Sequence, residues 1–404
     1  MALKKYYNIT PEGTRDLLFE ECGTQKKVEG ALSRLFAGRG FTEVVTPTVE
    51  FLDVFQQKSS YIAPEKLYKT TDGKGRLIVL RPDSTIPIAR LVSTRLKGFP
   101  LPIRLYYSQP VFSVNQSLSG RSDEVVQMGI EIIGSASKRA DLEVISTAVE
   151  ALFACDTSDF RLEIGHIGIF NTLIARFGIP EDAAEEIRRL IEIKNYPALN
   201  DLLDNMDCGE GAGMLKMLPR LFGGEEVFSQ AEGIFKDETI TGILRYLRGI
   251  YTALAELGLR EKITVDLGIV NRNDYYTGIV FRGYVEGFGE TALSGGRYDS
   301  LYADFGQDLP ATGFGVNVDA IAKALRGREA SGMMPDVLVH GEPGFEMKAL
   351  LLCKELGAQG LTVENSVFDT LEQARAYGQT RGIPRLIRVS DTREEIAMKG
   401  AGRK

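Results

Sequence analysis

The chain has 404 residues, of which 44% are hydrophobic and 25% are charged, and its formal net charge is −7. This composition is typical of a globular protein with two or three domains, and the acidic balance disfavours nucleic acid as the main partner. No apolar run is long enough to span a membrane, and the N-terminus MALKKYYNITPEG lacks the apolar core of a signal peptide. Four scattered cysteines without a CxxC pair predict reduced thiols, no metal site and a cytoplasmic location.

The first part of the chain alternates between helical and extended patterns. A helix is predicted over 22–39, and the extended run that follows is interrupted by Pro47, which cannot donate a hydrogen bond to a neighbouring strand. Pro47 therefore marks an edge, a bend or a contact between subunits, or it simply ends a strand. Two strands joined at Asp72-Gly73 are predicted within 67–85.

The segment LRPDST places Asp83 and Thr85 where the second of these strands meets a new helix. Both residue types are common N-caps, and polar groups at such a corner can also face a pocket. The simpler alternative is that they only cap the helix. Capping accounts for one of them more easily than for both.

A central strand is predicted from Val125 to Ile133, after another strand at 103–112. Strand alternation puts Gln127 and Glu131 on one face, with Gly129 between them, and an all-apolar set on the other face. An apolar back is typical of a strand inside a sheet, and the glycine leaves room for a small polar ligand against the backbone. The alternative is a half-buried antiparallel strand with a solvated front face.

The middle of the chain changes character twice. A helix at 139–154 and a strand at 160–165 precede a segment at 168–258 in which helical periodicity dominates, which predicts an all-helical insertion. β-Character returns at 262–318, which is rich in glycine and aromatic residues.

Three tyrosines in this β-region are candidate ligand contacts. Tyr275 and Tyr276 face opposite sides if their segment is a strand, and the pair Gly295-Gly296 allows Tyr298 to approach whatever lies near that backbone. The simpler alternative is that each hydroxyl only finds a hydrogen-bond partner within the core.

The C-terminal part predicts a separate small domain. Strand and helix patterns alternate as β-α-β-α-β after the polar joint at 327–332, which indicates an α/β sheet with at least some parallel strands. The domain boundaries predicted from the sequence are 1–326 for a core domain and 333–404 for this small domain.

Five ordered motifs resemble one known family. LRPDST, the strand with Gln127 and Glu131, DYYTGIVF, GGRYDSL and GFGVNVDAI are similar to segments of histidyl-tRNA synthetases and their paralogues. The resemblance covers about residues 8–325 and extends weakly into 335–390, which looks like a shortened anticodon-binding domain. It implies an α+β fold of the class II aminoacyl-tRNA synthetase type, with an antiparallel sheet flanked by helices and dimerisation through the region of Pro47.

The resemblance also implies a pocket for the amino acid histidine. Carboxylate and hydroxyl groups suit its ammonium, and a carboxylate with a tyrosine hydroxyl suits its imidazole. Asp83 stands where the synthetases have glutamate, so its direct contact is the least secure. The implied histidine-binding residues are Asp83, Thr85, Gln127, Glu131, Tyr276 and Tyr298.

The half of the site that binds ATP in the family has changed. Class II synthetases use arginines to hold the triphosphate, and at three such positions this sequence has Ser113, Asn271 and Ala320. Asn115 and Asp319 replace two glutamates of the same motifs. Loss of a single contact of this kind typically costs about 3 kcal/mol of transition-state stabilisation, so efficient activation of histidine is not expected.

A retained histidine pocket beside a lost ATP site resembles the regulatory subunits of short-form ATP phosphoribosyltransferase. The implied function is non-catalytic, without a cofactor: the subunit binds L-histidine, pairs with the short catalytic subunit and controls the first step of histidine biosynthesis. A self-dimer is expected within a hetero-oligomer, and no contact with a membrane. The alternatives are a divergent but active histidyl-tRNA synthetase and a synthetase-like module with another small ligand.

Overall fold

The structure is a computed structural model that describes residues 6–115, 121–157, 159–206, 208–270, 275–325 and 334–398. The chain divides into two compact units. One contains Met1–Asp16 and Thr24–Arg326, and the other contains Leu17–Gly23 and Gly327–Lys404. The assignment of these segments to a synthetase-like core domain and a shortened anticodon-binding domain stays a prediction.

The strands of the described residues form three sheets. In chain order the strands are β1 (Thr42–Glu43), β2 (Val49–Phe51), β3 (Lys69–Thr71), β4 (Leu77–Leu80), β5 (Ile103–Phe112), β6 (Glu124–Ile133), β7 (Phe160–His166), β8 (Phe222–Gly223), β9 (Ile263–Asp266), β10 (Ile279–Val285), β11 (Thr291–Arg297), β12 (Ala311–Asn317), β13 (Val337–Gly341), β14 (Val363–Asn365), β15 (Arg385–Val389) and β16 (Arg393–Ala397).

The helices follow the periodic segments of the sequence. In chain order they are α1 (Phe19–Gly38), α2 (Thr85–Arg95), α3 (Lys138–Ala154), α4 (Ile167–Arg176), α5 (Glu181–Glu192), α6 (Tyr196–Asp204), α7 (Glu210–Met217), α8 (Glu226–Ile234), α9 (Glu238–Leu254), α10 (Val318–Ala324), α11 (Glu346–Ala358) and α12 (Leu371–Arg381). No helix of the described residues has the length and apolar composition that a membrane crossing requires.

The large sheet has nine strands in the order β1-β5-β6-β12-β11-β10-β7-β9-β8 and is mostly antiparallel. The strand β6 lies between β5 and β12, and its residues from Met128 to Ile133 are buried. The prediction of an interior strand is therefore confirmed, because neither face of this part of β6 is open to solvent.

Pro47 separates two strands that belong to different sheets. Before it, β1 pairs in parallel with β5 at the edge of the large sheet; after it, β2 pairs with β4 in a three-stranded sheet. The strands β3 and β4 pair antiparallel on either side of the predicted turn at Asp72-Gly73. The break at Pro47 and this hairpin are both as predicted.

The insertion is helical except for the short strand β8, which pairs with β9 at one edge of the large sheet. The prediction of an all-helical insertion is wrong in this detail, since two residues were too few for a periodic signal.

A buried ion pair joins β11 to α3: Arg297 lies 2.8 Å from Asp141. From α9, the Tyr246 hydroxyl donates to the same carboxylate at 2.6 Å, so Asp141 connects the sheet, its flanking helix and the insertion.

The C-terminal unit has a four-stranded sheet in the order β14-β13-β15-β16. The first three of these strands are parallel, as the β-α-β-α-β pattern predicts. The strand β16 was not predicted. It pairs antiparallel with β15, and its sequence REEIA has too few apolar residues to show strand alternation.

Candidate functional site

The strand-to-helix corner gives its two polar residues different contacts. The Asp83 carboxylate accepts a hydrogen bond of 2.9 Å from the backbone N–H of Ile86 and so caps α2. The Thr85 hydroxyl instead donates to Glu131 on β6 at 2.8 Å. Capping therefore accounts for Asp83 only, and Thr85 points from the corner toward the central strand.

Glu131 is the centre of the site. Its side chain is almost fully buried, and its two carboxylate oxygens accept hydrogen bonds from Thr85 and from the Tyr298 hydroxyl. Burial raises the pKa of Glu131 to about 8, although these two hydrogen bonds lower it, and the nearby charge of Asp83 raises it further. The sequence thus places an acid where solvent cannot stabilise its charge.

Asp83 lies close enough to interact with the Glu131 charge and is partly buried. Burial raises its pKa to about 6, against the hydrogen bonds from the backbone N–H groups of Thr85 and Ile86. Within the described part of the chain, neither Asp83 nor Glu131 forms an ion pair with a lysine, arginine or histidine. Two carboxylates without a cationic partner favour a ligand that brings its own positive charge.

Three tyrosine rings pack together beside Glu131. The ring centroids of Tyr275 and Tyr276 are 4.8 Å apart, and Tyr298 lies 5.6 Å from the first and 6.5 Å from the second. The condition under which Tyr275 and Tyr276 would face opposite sides is not met, because β10 begins only at Ile279. Burial raises the pKa of Tyr276 far above its usual value, with the Glu131 charge as a second cause.

The space beside Gly129 is filled from the neighbouring strand. In the antiparallel register Tyr107 of β5 lies opposite Gly129, and a Cβ at Gly129 would be 2.5 Å from the Tyr107 hydroxyl. The predicted room for a ligand against this backbone is therefore occupied by a side chain. Gly313 of β12 is just as constrained, since a Cβ there would lie 1.7 Å from a carboxylate oxygen of Glu131.

Sequence reasoning missed two tyrosines of this cluster. The side chains of Tyr107 and Tyr302 are fully buried, and the charge of Glu131 contributes to the raised pKa of each hydroxyl. The Tyr302 hydroxyl has no hydrogen-bond partner among the described residues. Pairing the predicted strands would have found Tyr107, whereas Tyr302 is distinguished only by standing four residues after Tyr298.

Gln127 lies on β6 one strand repeat before Gly129, as predicted. Its side-chain oxygen is buried and accepts no hydrogen bond from the described residues. Its amide nitrogen lies against Gly315 of β12. The structure therefore joins Thr85, Glu131 and Tyr298 by hydrogen bonds and places Asp83 and Tyr276 close enough to Glu131 for their charges to interact. Gln127 lies four residues from Glu131 along β6 and is not brought into contact with it.

A cavity of about 550 Å³ opens beside the corner. It is bounded by Asp83, by Tyr275, whose ring packs against Tyr298, and by Ser113 at the end of β5. The lining also includes Glu185 and Arg189 of α5. This volume accommodates a free amino acid, and the insertion contributes part of its boundary.

A second cavity of about 520 Å³ contains the positions at which the ATP-binding motifs differ from the synthetase pattern. Its lining includes Ser113, Asn115, Asp319 and Ala320, while Asn271 lies outside the described residues. The cations on its wall are Arg121 and Lys323, and its carboxylates are Glu290 and Asp319. Arg121 lies 3.0 Å from Glu290, so the described lining balances positive and negative charge.

The substituted motif residues now serve the fold. The Asn115 side chain donates to the backbone oxygens of Ser113 and Ser122 at 3.2 and 3.1 Å and so holds the ends of its loop together. Asp319 accepts from the backbone N–H of Val126 at 2.8 Å and pairs with Arg15 at 3.3 Å. None of these contacts provides a concentrated positive charge for a triphosphate.

Comparison with known proteins adds independent information. The sequence profile described as histidyl-tRNA synthetase matches residues 13–321. An ATP phosphoribosyltransferase regulatory subunit from Clostridium kluyveri is 40% identical over 381 residues, which cover 92% of this chain and 97% of that protein.

Two solved structures are similar to the chain over most of its length. One is a protein from Bacillus halodurans described as an ATP phosphoribosyltransferase regulatory subunit/histidyl-tRNA synthetase. It has a TM-score of 0.83 and 31% identity, and the match covers 93% of this chain and 97% of that one. The histidyl-tRNA synthetase from Nostoc sp. PCC 7120 has a TM-score of 0.78 at 20% identity, with 97% of each chain covered, which shows the shared fold.

Proposed function

Because this chain belongs to the histidyl-tRNA synthetase family, and within it to the ATP phosphoribosyltransferase regulatory subunits, we propose that it senses L-histidine. Its regulatory role in histidine biosynthesis follows from that membership. The proposal adds the ligand, the residues that hold it and the way in which binding controls the partner subunit.

The observation that carries the proposal is the pair Asp83 and Glu131, which form no ion pair with a cation of the described residues and lie beside a cluster of tyrosines. Histidine has an ammonium group for one carboxylate and an imidazole N–H for the other. Thr85 and Tyr298 already orient Glu131, so a ligand finds the acceptor in a fixed position. The buried amide oxygen of Gln127 accepts no hydrogen bond from the described part of the chain, so a ligand can supply the donor.

Regulation then follows from linkage between two ligands of one protein. If the catalytic subunit and histidine favour different conformations of this chain, each weakens the binding of the other by the same factor. This chain contributes no catalytic residue in that scheme, and the balanced charge of the second cavity supports its inability to hold a triphosphate.

Self-association belongs to the same proposal. Close to Pro47, the side chains of Val49, Phe51 and Leu77 on the paired strands β2 and β4 are exposed although they are apolar. A second copy of the chain that covers this face would remove them from water. Sedimentation of the wild-type chain and of Leu77→Glu tests this, with a dimer and a monomer expected respectively.

The experiment that tests the function is calorimetry with each of the twenty amino acids. Histidine alone is expected to bind, and preferential binding of another amino acid contradicts the proposal. A pyrophosphate-exchange assay with histidine and ATP is expected to give no exchange, whereas clear exchange would identify an active synthetase. Assay of a short catalytic subunit with this chain, with and without histidine, tests the regulation itself.

A further inference from the structure

The cavity beside Asp83 carries charges of both signs. Its acidic residues are Asp83, Glu65 and Glu185, and its basic residues are Lys66 and Arg189. A free amino acid has an ammonium and a carboxylate, so it needs both signs within one site. The contacts assigned so far satisfy the ammonium and the imidazole but leave the carboxylate without a cation.

The described end of β5 provides no cation for the ligand carboxylate. Ser113, the first residue after β5, lines the cavity with a neutral hydroxyl. The described positive charges on the wall lie instead on Lys66, the last residue of a short 3₁₀ helix, and on Arg189 of α5 in the insertion.

We propose that Arg189 binds the carboxylate of the ligand, an assignment that rests on the proposed function of histidine sensing. A guanidinium group presents two parallel N–H donors that match the two oxygens of a carboxylate, whereas an ammonium acts as a point charge. Arg189 pairs at 2.6 Å with Glu186 of the same helix, and both side chains are substantially exposed. Exposed pairs of this type contribute little, so Arg189 can exchange this partner for a ligand.

The assignment gives the helical insertion a part in sensing. Asp83 belongs to the strand-to-helix corner beside the sheet, and Arg189 belongs to α5. A zwitterion held between them connects these two elements only when the cavity is occupied. Ligand binding thereby stabilises one position of α5 against the corner, which is a differential contact of the kind that regulation requires.

Calorimetry with two ligands on the full chain tests the assignment. Histidinol has an alcohol in place of the carboxylate of histidine and is otherwise the same molecule. Arg189→Met is expected to weaken histidine binding about 10- to 100-fold and to leave histidinol binding within about twofold of wild type. Arg189→Lys is expected to recover part of the loss, because it restores the charge without the planar pair of donors.

Arg176→Met is the matched control. Arg176 lies on α4 of the same insertion, has nearly the same side-chain exposure as Arg189 (45% against 44%) and pairs with Asp237 at 2.9 Å. It is not among the lining residues of the cavity. This variant is expected to bind both ligands as the wild type does.

The outcomes separate the assignment from the function on which it rests. If the wild type binds histidine and Arg189→Met binds it equally well, the assignment alone is overturned. The same holds if Arg189→Met loses affinity for histidine and for histidinol by the same factor. A selective loss of histidine in Lys66→Met, with Arg189→Met unaffected, transfers the role to Lys66 and also overturns it. A wild-type chain that binds neither ligand overturns the proposed function together with the assignment.

Discussion

Replacement of Glu131 by glutamine is expected to destabilise the folded protein at low pH and to stabilise it at high pH. The folded-state pKa of Glu131 is about 8, whereas the ordinary value is 4.5. Between these values the folded protein binds more protons than the unfolded chain, so its free energy of unfolding falls as pH increases. The stability that Glu131 contributes is fully present below about pH 4.5 and is lost by about pH 8.

The magnitude follows from the two pKa values. At about 1.4 kcal/mol for each pKa unit, ionisation of Glu131 costs the unliganded folded protein about 5 kcal/mol by pH 9. The amide of Glu131→Gln avoids that cost. It weakens the hydrogen bonds from Thr85 and Tyr298, at a cost of about 1–2 kcal/mol at every pH. The variant is therefore expected to be less stable than wild type at pH 5 and more stable at pH 9, with equal stability at about pH 5.5.

Urea denaturation at pH 5, 7 and 9, followed by circular dichroism, measures this difference. Glu256→Gln, the same exchange at an exposed glutamate, is the matched control. A difference between Glu131→Gln and wild type that stays constant across the three pH values would refute the reasoning, because Glu131 would then not titrate in this window. The same variant should bind histidine about 1–3 kcal/mol more weakly at pH 9, so stability and binding change in opposite directions.

Three further expectations come from the same region. Tyr298→Phe removes a donor to Glu131, so calorimetry should show histidine binding weakened by about 1–2 kcal/mol and an affinity profile displaced to higher pH. Gly313→Ala places a Cβ against the Glu131 carboxylate and a backbone carbonyl, and urea denaturation should show a loss of at least about 1–3 kcal/mol; wild-type stability would contradict this. Arg297→Met leaves the buried Asp141 carboxylate without its cation, and the free energy of unfolding is expected to fall by about 3–5 kcal/mol. The double variant Arg297→Met/Asp141→Leu should restore stability, and its failure to do so would contradict this cause.

Local patterns were sufficient for most elements of the fold. Alternation over Val125 to Ile133 predicted β6, and the periodic segments predicted α2 and α3. The five ordered motifs identified the family, which the comparisons confirm. The errors fall where the local signal is short or charged, as in β8 and β16.

The candidate site was predicted less completely than the fold. The sequence indicated that Thr85, Glu131 and Tyr298 share a site, and the structure joins them by hydrogen bonds. That these residues bind histidine stays a prediction. The sequence did not indicate Tyr107 or Tyr302, because nothing in the local pattern of either segment refers to the carboxylate of Glu131.

The sequence by itself determined the chemistry of this protein: which strand carries an acid and an amide on one face, and which motif positions have lost their arginines. Only the tertiary structure decided which groups meet. Thr85 and Tyr298 reach Glu131 from 46 and 167 residues away, and α5 brings Arg189 to the cavity that Asp83 lines. Strand and helix periods are set by neighbours along the chain, whereas contacts over such separations depend on sheet order and register, which arise only when the whole core packs.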